Sequence, residues 1–165
     1  GDDKVTAVIS GGGGQLINQG GGNYIAKVNS VTDDCIITVN VDGKKAGQQV
    51  FRVRTIPQPV GTVGGYASGE NIPAGAFKAQ TGVGAYIKDF PLNLRYTVTG
   101  FTITCDDPST GDILEEPCTG NLWSPKALSI IKNITPGRMV TIDNLRAQGP
   151  DGRVQKLPSL VYYIK

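Results

Sequence analysis

The side chains able to act chemically are few. The 165 residues contain no histidine. That removes Ser-His-Asp and Cys-His nucleophilic catalysis in their usual forms, and the two-histidine zinc motifs with them. Cys35, Cys105 and Cys118 lack CxxC spacing and do not read as a zinc site. Carboxylates occur as neighbours at Asp33-Asp34, Asp106-Asp107 and Glu115-Glu116. Two carboxylates can in principle cleave a glycosidic bond. Each of these pairs lies beside turn signals, where acids are ordinarily solvated, so no active pair is expected. The runs Gly11-Gly12-Gly13-Gly14 and Gly20-Gly21-Gly22 are not phosphate loops. A Walker loop needs Gly-Lys followed by Ser or Thr, and here Gly14 precedes Gln15 and Leu16. A dinucleotide fingerprint needs a helix straight after the glycines, and Gln15–Gly22 is too short for one. The runs read as turns between strands. The chain is expected not to be an enzyme and to carry no cofactor.

The elements that remain are β-rich. Hydrophobic residues are 39% and charged residues 18%, enough for a real core. The 23 glycines and 10 prolines fit many turns between short strands. A net charge of +2, with the charges scattered singly, gives no basic footprint, so no nucleic-acid partner is expected. No apolar run approaches 18 residues. The opening Gly1-Asp2-Asp3-Lys4 lacks the shape of a signal peptide, and the chain reads as a piece of a longer protein.

Strands are predicted over Lys4–Ser10 and Asn23–Val28. Over Asp34–Val41, Cys35, Ile37, Val39 and Val41 share one face. Asp42-Gly43 signals a hairpin into a strand over Gln48–Thr55, with Phe51 and Val53 on one face. Cys35 reads as a small core residue. Pro57 and Pro59 remove two ladder donors and stiffen the backbone, which places a domain boundary there. Gly61–Gly75 reads as a long loop. Strands are predicted again over Ala76–Lys88 and Leu92–Cys105. In the latter Leu94, Tyr96 and Val98 share one parity, and Phe101, Ile103 and Cys105 the other. An extra residue at Gly100 would reunite them, as a bulge does. One helix is predicted near residues 125–134, with Ser124 as N-cap, Pro125 at N1, and a Trp123–Leu128 staple. Its apolar face is Ala127, Leu128, Ile131 and Ile134. A closing hairpin, Met139–Ala147 and Val154–Ile164, turns at Gly149-Pro150-Asp151-Gly152.

Three segments in order resemble the C-terminal periplasmic region of the GldM/PorM family of gliding-motility and type IX secretion proteins. Phe51–Pro59 resembles the family's F-R-V-K/R-x-I/L-P-D/N-P, with Gln58 where the family usually has Asp or Asn. Phe90–Thr104, FPLNLRYTVTGFTIT, follows KAQTGVGAYIKD and looks like the strand pair of the last domain. Ile130–Gly152, IIKNITPGRMVTIDNLRAQGPDG, followed by RVQKL, is similar to the family's I-x-x-L-x-P-G-x-x-V/I-x-F/I-x-x-I/L-x-A/V-x-G-P-D-G. Together with the stretches between them they cover about two thirds of the chain.

The resemblance implies an all-β protein of two tandem β-sandwich (Ig-like) domains. Residues 1–56 would be most of the penultimate domain, short for a complete sandwich. Residues 57–165 would be the terminal sandwich with its one short helix. It implies a non-catalytic periplasmic shaft, anchored in the inner membrane by an N-terminal helix absent from this sequence. The expected partners are a second copy in a parallel homodimer and ring lipoproteins beneath the outer membrane. An inner-membrane motor would be met by a part of the protein not present here. A periplasmic setting permits a disulfide, and Cys105 and Cys118 flank one turn, so a bridge of about 3 kcal/mol is expected between them. Partner contacts are expected at Tyr66 and Glu70 in the glycine-rich stretch and at Asp151 and Arg153 in the closing turn. The competing reading is a carbohydrate- or ligand-binding module of the cell envelope. Such a module would expose a row of aromatics, and Tyr96 and Tyr162 already sit at core parity.

Overall fold

The computed structural model describes residues 4–165, which fall into two units, one ending at Ile56 and the other running from Pro57 to Lys165. Both are built mainly of strands. Among the described residues there are two short helices, where one was expected.

In the first unit, β1 (Val5–Ser10), β4 (Thr32–Val41) and β5 (Lys44–Val53) form an antiparallel sheet in the order β1-β4-β5. Asp42 and Gly43, with φ of 49° and 76°, close β4 onto β5, a turn that needs two left-handed residues. The glycine runs are turns because Gly11–Gly13 and Gly20–Gly22 all hold φ between 59° and 87°. Between them the sequence reading missed a strand. β2 (Gln15–Gly20) pairs with β3 (Asn23–Lys27) as a separate hairpin. The period-2 signal is faint there, since Leu16 and Ile17 are adjacent. Val5, Ala7 and Ile9 stand opposite Val41, Val39 and Ile37, so one face of the sheet is apolar. Cys35 is buried, as expected of a small core residue, and is the one buried hydrophobic residue described in this unit.

The second unit is organised by a sheet in the order β10-β9-β11-β13-β7, with β12 also on β11. Its strands are β7 (Asn71–Ile72), β9 (Thr97–Asp106), β10 (Ile113–Thr119), β11 (Met139–Gln148), β12 (Val154–Lys156) and β13 (Leu160–Ile164). A small pair, β6 (Val60–Thr62) and β8 (Gly84–Tyr86), lies apart from it. The parity switch read at Gly100 is present and is matched on the neighbouring strand. From the Asp143–Thr102 pair to the Arg146–Gly100 pair, β11 advances by one residue more than β9. From there to Ala147–Val98, β9 advances by one more than β11. The two bulges compensate. Val98, Phe101, Ile103 and Cys105 on β9, and Val140, Ile142, Leu145 and Ala147 on β11, are therefore all buried on one face.

That face packs against both helices. Helix α2 (Pro125–Lys132) starts as read. Ser124 is its N-cap, the Ala127 N–H donates to the Ser124 hydroxyl at 3.1 Å, and Pro125 sits at N1. The staple does not form: Leu128 is 49% exposed while Trp123 is buried. Trp123 is held from elsewhere. Phe101 meets it edge-on at 5.3 Å, Phe77 lies at 6.0 Å, and its indole N–H donates to the Gln80 carbonyl at 2.8 Å. Phe77 belongs to α1 (Ala74–Lys78), inside the stretch from Ala76 that was read as strand. Pro73 presets the entry to this turn, and full burial of Phe77 overrides the β tendency.

Gly61–Gly75 is not a free loop. It holds β6, a turn from Val63 to Tyr66, β7 and the start of α1, with Val63 and Ile72 fully buried. Pro59 is likewise fully buried, and the Gln58 amide donates to the Lys156 carbonyl at 3.2 Å.

Asn144 carries the bulge in β11 with φ of 51°, a conformation Asn accepts and β-branched residues resist. Asn144→Val should lower the unfolding free energy of this unit by about 1–2 kcal/mol, while Asn144→Gly should cost less. Urea titration followed through Trp123, the only tryptophan, measures both; equal loss in the two variants would refute the backbone account.

Candidate interaction surface

The neighbouring carboxylates are placed differently by the strands that carry them. Successive side chains on a regular strand point to opposite faces, so Glu115 and Glu116 diverge. Asp33 and Asp34 fall where β4 carries an extra residue against β5, and both border one exposed hollow with Arg52 and Arg54. One member of each pair is taken by a cation. Asp33 meets Arg54 at 2.6 Å, Asp106 meets Arg138 at 2.5 Å, and Glu116 lies 3.7 Å from Lys126 and accepts from the Ser124 hydroxyl at 2.9 Å. Asp107 builds its own loop. Its Oδ1 accepts from the backbone N–H and the hydroxyl of Ser109, and these bonds hold its carboxyl below the usual carboxylate range. Among the described residues no three His, Cys, Asp or Glu side chains gather where a metal could bind.

The expected disulfide is not present. Cys105 and Cys118 are free, buried thiols on adjacent strands. The hairpin register sets Cys105 opposite Leu114 and Cys118 opposite Phe101. The two thiols are thus four positions out of step, about 13 Å along the strand, well beyond the reach of a disulfide. Burial pushes the Cys105 thiol pKa up, and the Asp106 carboxylate adds to that. Cys118 instead accepts the Ser124 N–H through its sulfur at 3.4 Å.

The four residues expected to meet a partner lie in two separate places. Tyr66 is half-buried, and its backbone is clamped. Its N–H donates to the Val63 carbonyl at 3.0 Å, and its carbonyl accepts from the Tyr162 hydroxyl at 2.9 Å and the Thr62 hydroxyl at 3.0 Å. The Glu70 carboxylate accepts from the Ala67 N–H, and the Glu70 carbonyl accepts from Tyr163 N–H at 3.2 Å. Both residues are therefore tied to β13, beside the Met139 end of β11. Asp151 and Arg153 sit in the turn beyond Gln148, at the other end of β11, where they form an exposed contact of 3.7 Å. About 25 Å of strand separates the two groups. The aromatics do not form a row: Tyr86 is on β8 and Tyr163 on β13, in different sheets, while Tyr162 is fully buried.

Two features escaped the sequence reading. One is the Tyr162 hydroxyl, which also accepts the Val63 N–H at 3.1 Å and so joins β13 to the turn 63–66. The other is Ile113, between Asp112 and Leu114 and 74% exposed, more than any other large hydrophobic side chain described. Its signal was an apolar residue at the outward parity of an edge strand.

Two measurements follow from these environments. Alkylation in denaturant without reductant should modify all three cysteines, while Cys105 and Cys118 should react slowly in the native protein; a Cys105–Cys118 peptide on mapping would overturn the register. Burial pushes the Tyr162 pKa up to about 12, against 10.0 for a free tyrosine. The unfolded chain therefore loses this proton first, and stability should fall as pH rises from about 10 towards about 12. Tyr162→Phe should flatten that fall, and an unchanged slope would count against the buried hydroxyl.

Comparison with curated proteins finds no match. The family model described as the GldM C-terminal domain matches residues 57–165, the whole second unit. The chain therefore belongs to the GldM family of gliding-motility and type IX secretion components, through that C-terminal domain.

Proposed function

We propose that this chain is the outer end of a periplasmic shaft in a type IX secretion or gliding machine, and that its role is structural. The match of residues 57–165 to the GldM C-terminal domain is the observation that carries this reading. Residues 4–56 would be the penultimate, Ig-like domain of the shaft, and their three-stranded antiparallel sheet is compatible with that. The full protein would be held in the inner membrane by a helix outside this sequence and would reach a lipoprotein ring beneath the outer membrane. Two copies would run parallel. The ion pairing of one carboxylate in each neighbouring pair supports a role without catalysis.

Within this reading, Tyr66 and Glu70 at one end of β11, and Asp151 and Arg153 at the other, would be separate contacts. Only the second pair sits in an exposed turn that could change without disturbing the core. The Tyr66 segment is bonded to β13, so deleting Gly64–Gly69 would break the fold along with any contact.

The test is genetic. In-frame removal of residues 57–165 from the full-length gene should abolish secretion and gliding while the remaining protein stays in the inner membrane. Wild-type secretion and gliding in that strain would sink the proposal.

A further inference from the structure

The outward face of the second unit's sheet is uneven. At one end a cross-strand row runs through Ile113 on β10, Asp106 on β9, Met139 on β11 and Tyr163 on β13. Ile113 is 74%, Met139 51% and Tyr163 45% exposed. A hollow of about 360 Å³ lies between Ile113 and Met139, bordered by Thr104, Asp106 and Thr141. The row spans about 14 Å across four strands, a width that suits one helix or one extended segment.

The unpaired charge around the Ile113 end of this row has one sign. Asp107, Asp112 and Glu115 surround Ile113 in the hairpin, and none takes part in an ion pair among the described residues. Arg138 is committed to Asp106 and Lys126 to Glu116, and Lys165, two residues beyond Tyr163, lies at the opposite end of the row from Ile113. Arg146 lies at the other end of the face, over Gly100. The hairpin is also fixed in shape: Asp107 N–H donates to the Asp112 carbonyl at 2.7 Å, and Gly111 N–H to the Asp107 carbonyl at 2.8 Å. A partner would meet a preformed acidic rim around exposed apolar side chains.

We infer that this end of the sheet docks a cationic amphipathic segment of a partner protein. Its apolar side chains sit on Ile113, Met139 and Tyr163, and its lysines or arginines face Asp107, Asp112 and Glu115. A membrane surface is not the occupant, because anionic headgroups would meet the same carboxylates. The inference rests on the shaft role proposed above for its place in the cell, and gives that role a partner surface.

The experiment has two arms. In the first, the full 165-residue chain is titrated with a synthetic 14-residue amphipathic helix of leucine and lysine, and with the same peptide carrying glutamate for lysine. Backbone amide shifts should cluster at residues 104–116, 139–141 and 161–163 with the lysine peptide alone, and fade as salt rises. Ile113→Ser, and separately D107N/D112N/E115Q, should each weaken binding about tenfold with little change in melting temperature. Asparagine at position 107 keeps the acceptor that Ser109 uses, so the loop survives. Shifts elsewhere, or unchanged binding by both variants, overturn the inference. In the second arm, a photo-crosslinking residue replaces Ile113 in the full-length protein in cells, with the same residue at exposed Leu128 as control. A crosslink specific to position 113, into a Lys- or Arg-containing peptide, supports it. If removal of residues 57–165 stops secretion and gliding, yet position 113 gives no specific crosslink and both variants function normally, the shaft role stands and this surface is wrong.

Discussion

The pairing of β9 with β11 is the constraint on which the second unit depends. A one-residue slip in a strand sends every following side chain to the opposite face. Both strands change parity in the middle: β9 between Val98 and Phe101, β11 between Ile142 and Leu145. An unbroken ladder would leave half of each strand's apolar residues facing out. The extra residue on β11 and the extra residue on β9 cancel, and eight apolar side chains share one face. The cost is local, borne by Asn144 at positive φ. The Thr99 hydroxyl donates to the Arg146 carbonyl at 3.4 Å, and the Thr99 carbonyl accepts the Gly120 N–H at 2.9 Å, so the extra residue on β9 is bonded on both sides. Phe101 then meets Trp123, and the helix that begins after Trp123 is seated by that contact.

What the sequence disclosed was local. The cap at Ser124 and Pro125, the Asp42-Gly43 turn and the parity break at Gly100 each depend on a few adjacent residues, and each is in the structure. The features it concealed are set by distant partners. Residues 74–78 are helical because Phe77 is drawn among Trp123 and Tyr162. Residues 61–75 read as a long, adaptable loop because their order comes from β13: Tyr162 binds the turn, and β7 runs parallel to residues 163–164. Leu128 fits a staple pattern, yet the contacts to Trp123 come from residues 77 and 101.

The candidate site was less legible than the fold. Cys105 and Cys118 flank one turn, and this suggested a bridge. A hairpin closing over Asp107–Asp112 pairs Cys105 with Leu114 and leaves Cys118 four positions further on. Register, rather than nearness to a turn, decides which cysteines can meet. The same alternation divides Glu115 from Glu116: one joins Ser124 and Lys126 beside the helix, and the other faces outward. A carboxylate pair in sequence thus becomes one structural acid and one surface acid.

The bulges also determine what the sheet presents to its surroundings. On the Met139 side of Asn144 the ladder is in regular register from Val140–Cys105 to Asp143–Thr102, so outward residues line up across strands. That alignment is what brings Ile113, Met139 and Tyr163 into a single row. Beyond Asn144 the register has moved, and the outward positions are Thr97, Arg146, Gln148 and Lys156, with Val154 the one apolar residue among them. A single face thereby has an apolar, acid-rimmed half and a largely polar half, divided where both strands kink. The inward face needs the two bulges to close its core, so the division of the outward face follows from the packing requirement. The step that seats Leu145 inward also turns Arg146 out, so the outward positions on the two sides of Asn144 follow different registers.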